Sequence, residues 1–270
     1  MQNASSTRTS LIYAAIILLC FSPVFFIKLK KSEPEFVIAP EQEPIPEFLP
    51  DFANIPDVEE KKETFFDFIE PYVDEVNEAI IQERQQVLAI AEKLENNQSI
   101  LARELRLLST LSEKYELETE DLLTREFLSL LLRRVDKIPS SLALAQAANE
   151  SAWGTSRFAQ DGNNLFGQWC YTDGCGIVPN RRREGATHEV KSFDSVGASV
   201  ESYIHNLNTF PSYQTLRRIR QQLRQQNKPI DGVTLSDGLE SYSARGLDYI
   251  AELQRMIYSN DLLARDNPFL

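Results

Sequence analysis

The stretch LALAQAANESAWGTSRFAQDGNNLFGQW occupies residues 142–169 and constrains what the rest of the chain can be. Its first half, Leu142 to Trp153, is built from alanine and leucine with no proline or glycine inside, which predicts a helix. Pro139 suits the first turn, Ser140 or Ser141 can cap it, and Gly154 suits the left-handed stop beyond its end. Glu150 then falls in the last turn. A carboxylate is out of place there, because the helix dipole presents partial negative charge at that end. Leu142, Ala147 and Trp153 make the surroundings apolar. Dipole and burial both favour the protonated carboxyl, the form a general acid needs.

AQAANESAWGTSRFAQDGNNLFGQW resembles the signature of the glucosaminidases of glycoside hydrolase family 73, A-Q-x-x-x-E-S-x-W-G-x-S followed by N-L-F-G. The resemblance covers about residues 138–257. It implies a lysozyme-like fold, hydrolysis of peptidoglycan glycan strands, no metal or organic cofactor, and Glu150 as the catalytic acid. Within N-L-F-G, Asn164 and Phe166 become candidate substrate-binding residues.

The remainder of the chain is read outward from that stretch. A length of 270 residues with 42% hydrophobic content allows one or two domains with a real core. The net charge of −12 argues against a nucleic-acid partner, since phosphate binding asks for a basic surface. Nearly all of the negative excess lies before residue 138, so an anionic wall polymer can approach the C-terminal part without general repulsion.

Leu11 to Ile27 (LIYAAIILLCFSPVFFI) carries no charge and would span roughly 25 Å as a helix, slightly short of a ~30 Å hydrocarbon core. A membrane anchor over residues 1–31 is the expectation, with a cleaved signal peptide and a buried helix as the other readings. No small-x-small cleavage pattern follows the segment, which favours the anchor. Lys28, Lys30 and Lys31 would keep that side cytoplasmic by the positive-inside rule. The cysteine usage below and the resemblance point the other way, to an inner-membrane anchor with the catalytic domain in the periplasm of a Gram-negative bacterium. Residues 32–62 are acidic and proline-rich, as an extended tether would be.

From Thr64 the pattern turns helical. Phe65, Phe68, Ile69, Tyr72, Val73, Val76, Ile80 and Ile81 recur at three- and four-residue spacing, and Asn96 to Gln98 interrupts the run. Residues 101–115 and 121–135 read as further amphipathic helices, so a helical extension over 63–137 should pack onto a catalytic domain at 138–260, with 261–270 as a tail. Cys170 and Cys175 flank turn residues and suggest a disulfide in an oxidising compartment, against free thiols or half a zinc site. Gly176 to Glu184 and Thr187 to Phe193 suggest a β-hairpin turning at Gly185. Helices return near Val196 and Tyr213. Gly232 to Leu239 reads as a loop entering a helix that carries Tyr242 and Tyr249, and this part resembles the tyrosine-bearing motif near the end of family 73 domains.

Glycoside hydrolysis normally uses two carboxyl groups. In family 73 the second one is a glutamate on the hairpin after N-L-F-G, and here Glu184 and Glu189 compete, Glu184 favoured by its place beside the turn. Assistance by a substrate acetamido group is the alternative to both. Trp153, Phe166, Trp169, Tyr242 and Tyr249 are candidate aromatic platforms for sugar, with core packing an equal reading for Trp153 and Phe166. The expected whole is a mainly α, lysozyme-like α+β domain with a small hairpin, acting as an endo-β-N-acetylglucosaminidase. A lytic transglycosylase or muramidase, and a non-catalytic wall-binding module, are the alternatives. The chain lacks the G-x-x-G-L-M-Q element that usually accompanies the transglycosylase glutamate.

Overall fold

The structure is a computed structural model that describes residues 49–180, 182–183 and 185–266. The expected membrane segment therefore lies outside the described residues. Among those described, no helix is long and apolar enough to cross a membrane.

The architecture is mainly helical with one small antiparallel sheet. A long first helix, α1 (Val58–Glu95), starts where Asp57 accepts the Glu60 N–H at 2.9 Å and Glu59 and Glu60 fill the dipole-favoured first turn. It is followed by α2 (Ala102–Lys114) and α3 (Arg125–Arg134), the latter capped by Thr124 on the Phe127 N–H. These match the three helical runs of the sequence. α4 (Ser140–Ser151) is the central helix: every residue from Ser140 to Ala148 is buried, which its alanine and leucine content permits. After it come α5 (Arg157–Gly162), α6 (Val196–Thr209), α7 (Gln214–Gln225), α8 (Gly232–Ser236) and α9 (Leu247–Ser259).

One hydrophobic core joins α1 to the C-terminal helices. Phe65, Ile69 and Val73 of α1 share it with Leu142 and Leu144 of α4, Val200 and Leu207 of α6 and Leu253 of α9. The helical extension is therefore part of the same core. Asn77 of α1 ties down the entry to α4, donating to the Ile138 carbonyl at 2.8 Å and accepting the Ile138 N–H at 3.0 Å.

Three differences from the sequence reading have local causes. The expected tether was to run to residue 62, yet Phe52 is fully buried against the edges of Phe65 and Phe68, and α1 already begins at Val58. The aromatic side chain gains more by burial than the segment loses by ordering. Ser140 and Ser141 do not cap α4. Asp266 does so instead, accepting the Ser141 N–H at 2.8 Å and the Ser141 hydroxyl at 2.7 Å. The C-terminal segment around Leu262–Arg265 is correspondingly docked, and Arg265 pairs with Glu63, Asp67 and Glu70 of α1. Finally, Tyr242 lies in turns ahead of α9 and only Tyr249 is on that helix, because Gly246 at φ +53° ends the turn and starts the helix.

The sheet has strand order β1-β3-β2, with β1 (Trp169–Cys170) and β2 (Gly176–Ile177) both antiparallel to β3 (Glu189–Lys191). β2 and β3 are the expected hairpin, shorter than anticipated, with Gly185 at φ +82° in the connection. Gly176 is required by close approach: a Cβ there would sit 2.0 Å from the Val190 carbonyl oxygen. β1 is a third strand that the sequence reading did not anticipate.

Candidate active site at the end of the central helix

Glu150 occupies the last turn of α4 and is half-buried. The chain leaves the helix through three consecutive left-handed residues, Ala152 (φ +52°), Trp153 (φ +59°) and Gly154 (φ +73°). Such conformations are unfavourable for alanine and tryptophan, and local bonds hold them. The Trp153 N–H reaches the Ala148 carbonyl at 2.9 Å, the Gly154 N–H reaches the Ser151 hydroxyl at 2.7 Å, and Gln160 donates to the Gly154 carbonyl at 2.6 Å. The reversal turns Trp153 edge-on to Phe65 and Phe66 of α1, with centroids 5.8 and 5.3 Å away. Trp153 thus pins the end of α4 to α1 and packs as a core residue. Gly154 is needed for space as well, since a Cβ would lie 2.6 Å from the Phe52 ring.

The N-L-F-G segment forms the opposite wall. Asn164 is buried and uses its whole amide on backbone: it donates to the carbonyls of Gln168 (2.9 Å) and Lys191 (2.8 Å) and accepts the N–H groups of Phe166 (3.3 Å) and Gln168 (3.1 Å). That clamp joins the turn to β3 and accounts for the asparagine without a substrate contact. It brings Gly167 beside the acid, so that a Cβ on Gly167 would stand 3.8 Å from Glu150 Oε2. The other carboxylate oxygen accepts from Asn149 at 3.2 Å.

Four tyrosines lie close enough to the same carboxyl to feel its charge. Phe166 is buried and stacks on Tyr203 of α6 at 3.8 Å. Tyr242 donates to the Phe166 carbonyl at 3.0 Å and stacks on Tyr249 of α9 at 5.5 Å. Tyr213 lies 5.8 Å from Tyr242. Burial raises all four phenols, and each also feels the negative charge of Glu150. They are therefore neutral donors at working pH. The structure brings together Glu150, Phe166, Tyr242 and Tyr249 from the sequence candidates. Tyr203 and Tyr213 carry no sequence motif of their own and join the site only through the fold, whereas the four-residue spacing of Gln146 from Glu150 is a signal that puts both on one helix face.

The hairpin glutamates part company. Glu184 lies outside the described residues. Glu189 is buried in β3, and its carboxylate accepts the N–H groups of Gly174 (3.2 Å) and Gly176 (2.8 Å). Both oxygens are thus used to hold the turn between Cys170 and Cys175. Those cysteines form a disulfide with a Cα separation of 6.2 Å. Their sulfurs and the Glu189 carboxylate lie within 4.8 Å of one another, but sulfurs bonded to each other do not supply the thiolates that zinc takes. Trp169 is 57% exposed and stacks on His188 at 4.3 Å, leaving one aromatic face open to solvent.

A half-buried carboxyl ringed by neutral phenols can deliver a proton to a leaving oxygen and accept hydrogen bonds once charged. Comparison with known proteins shows the family. The glucosaminidase family, described as mannosyl-glycoprotein endo-beta-N-acetylglucosaminidase, matches residues 130–262. "Protein bax" of Escherichia coli (strain K12) is 33% identical over 215 residues, covering 80% of this chain and 75% of that one. No solved structure matches the chain.

Proposed function

Since the chain belongs to the family of the Escherichia coli bax protein and carries a glucosaminidase domain, we propose that it is a peptidoglycan hydrolase, an endo-β-N-acetylglucosaminidase with Glu150 as general acid. The observation that carries the reading is the placement of Glu150: at the negative end of a buried helix, beside the Gly167 backbone and within a ring of neutral tyrosines. In this reading Glu150 protonates the glycosidic oxygen as the bond to the sugar breaks. The aromatic cluster keeps that carboxyl half-buried, and the open face of Trp169 offers a platform for a sugar ring.

The second carboxylate is assigned to Glu184, because Glu189 is engaged by two backbone amides. Retaining enzymes hold such a pair about 5–5.5 Å apart and inverting ones about 6.5–9.5 Å. The apolar segment Leu11 to Ile27 and the disulfide support a chain anchored in the inner membrane with its catalytic domain in the periplasm.

Glu150→Gln tests the reading, because it keeps the shape and removes the transferable proton. Release of reducing ends from purified peptidoglycan should fall by ~10²–10⁴-fold while the melting temperature stays put. Near-normal turnover in a folded variant refutes the role of Glu150. Products ending in N-acetylglucosamine are expected, and anhydro-muramic ends would instead identify a lytic transglycosylase.

A further inference from the structure

Gln146 stands one turn before Glu150 on α4, so the two side chains leave the same face of the helix. It is fully buried, and a buried amide is costly unless both of its ends are bonded. Both are. The Tyr203 hydroxyl lies 2.6 Å from Gln146 Oε1, and Gln146 Nε2 lies 2.9 Å from the Tyr249 hydroxyl.

The chemistry of the amide assigns the direction of the chain, since its oxygen can only accept and its nitrogen can only donate. Bonds of the O–H···O kind centre near ~2.7–2.8 Å and N–H···O bonds near ~2.9–3.0 Å. Tyr203 therefore donates to the amide oxygen, and the amide nitrogen donates to Tyr249. A phenol has a single proton. With its oxygen accepting from Gln146, Tyr249 keeps that proton for another acceptor, and the Glu150 carboxylate, one turn further along the same helix face, is near enough to push the phenol up by its charge and by hydrogen bonding. The rings cannot swing away, since Phe166 stacks on Tyr203 and Tyr242 stacks on Tyr249 within 2° of parallel. Reversing the amide would spend the Tyr249 proton on Gln146 and turn phenol lone pairs toward Glu150.

We propose that Gln146 is a positioning residue that aims the Tyr249 proton at Glu150, so that Tyr249 holds the carboxyl in register and hydrogen-bonds the carboxylate formed when Glu150 gives its proton to the leaving oxygen. The inference rests on the hydrolase reading above. No proton is lost or gained by Tyr249 or Gln146; the one transferred proton passes from Glu150 to the glycosidic oxygen.

The test uses the full chain and solubilised glycan strands, with Gln146→Ala, Gln146→Glu, Tyr249→Phe and the double variant Gln146→Ala/Tyr249→Phe. Gln146→Ala should lower kcat about ten-fold, a part of the roughly 10²–10⁴-fold that a general acid contributes, with KM changed less than about three-fold. The double variant should be no slower than Tyr249→Phe alone, because both changes remove one interaction. Gln146→Glu keeps the size and carries the test if the alanine variant does not fold. Protonated, its new carboxyl can donate to Tyr249 as the amide does; ionised, it accepts from both tyrosines. Its activity should therefore fall with rising pH on a limb that the wild type lacks.

A folded Gln146→Ala or Gln146→Glu variant with wild-type kcat across the pH range overturns the inference while leaving the hydrolase reading intact. Multiplying effects in the double variant overturn it too. A wild-type chain that cleaves no glycan overturns the hydrolase reading and the inference with it.

Discussion

Removing one charge, at Asp136, should destabilise the scaffold that holds α4. Asp136 lies two residues beyond the end of α3 and its side chain is only 3% exposed. Three guanidinium groups converge on it: Arg224 at 2.7 and 3.2 Å, Arg84 at 3.3 Å and Arg220 at 3.9 Å. Arg84 belongs to α1 and the other two to α7, so a single carboxylate ties three parts of the chain together. Arg220 is itself 1% exposed, and burial pulls it down to about 10. Burial pushes Asp136 upward, yet Arg220, the Arg224 hydrogen bonds and Arg84 outweigh it and hold the carboxyl below its ordinary value. Asp136→Asn keeps the shape and leaves buried Arg220 and mostly buried Arg84 without a counter-charge, along with the partly exposed Arg224. Breaking a buried pair from one side costs about 3–5 kcal/mol. At ~2–4 °C per kcal/mol for a domain of this size, the melting temperature should drop by roughly 6–20 °C. The pH dependence has a fixed sign. A depressed folded value contributes stability above the unfolded value of about 3.9 and loses it as pH falls through the folded value. The gap between wild type and variant in urea melts should therefore be full at pH 7 and shrink below about pH 4. A loss under about 1 kcal/mol at pH 7, or a gap that does not shrink in acid, refutes the hub and leaves Arg84 and Arg220 held by their carbonyl partners alone.

Two further predictions concern the hairpin. Glu184→Gln should reduce glycan hydrolysis with little change in melting temperature. Glu189→Gln should lower the melting temperature, because it weakens bonds to two backbone N–H groups that are worth about 1.5–3 kcal/mol each when charged. The reverse pattern in paired activity and melting assays would move the catalytic role to Glu189. Non-reducing peptide mapping should find Cys170 joined to Cys175, and replacing both by alanine should cost about 2 kcal/mol for so short a loop. Both thiols alkylating without reductant would refute the bond.

What the sequence made legible is what neighbouring residues encode. The amphipathic period from Phe65 to Ile80 marks α1, the alanine- and leucine-rich run marks α4, and Asp173-Gly174 marks the turn that the disulfide closes. Gly154 was readable as a left-handed stop, since only glycine adopts that conformation at little cost. The left-handed Ala152 and Trp153 before it were not, because their conformation is imposed by Trp153 docking between Phe65 and Phe66 and opposes their own preference. Asn164 was read as a sugar contact for the same reason: its motif position shows that an amide is needed there, while its four backbone partners appear only once β3 is in place.

The larger omission is how α4 is held, and it follows from distance along the chain. A helix start without a local cap signals that a partner is needed, but no local pattern names Asp266, 125 positions away, or Asn77, 61 positions before Ile138. Both ends of α4 turn out to depend on residues outside the compositional boundary near 138. Asn77 holds the segment entering it, Asp74 accepts from Ser140, and Phe65 and Phe66 receive Trp153 beyond the end that carries Glu150. Asp266 closes the cap from the other direction while Arg265 beside it grips α1. A composition shift therefore marks where the charge changes and not where the fold divides. Cutting the chain there would remove Asn77, Asp74 and the Phe65–Phe66 seat of Trp153 and leave Asp266 as the long-range tie on α4, so the extension and the C-terminal segment are both part of what places the acid.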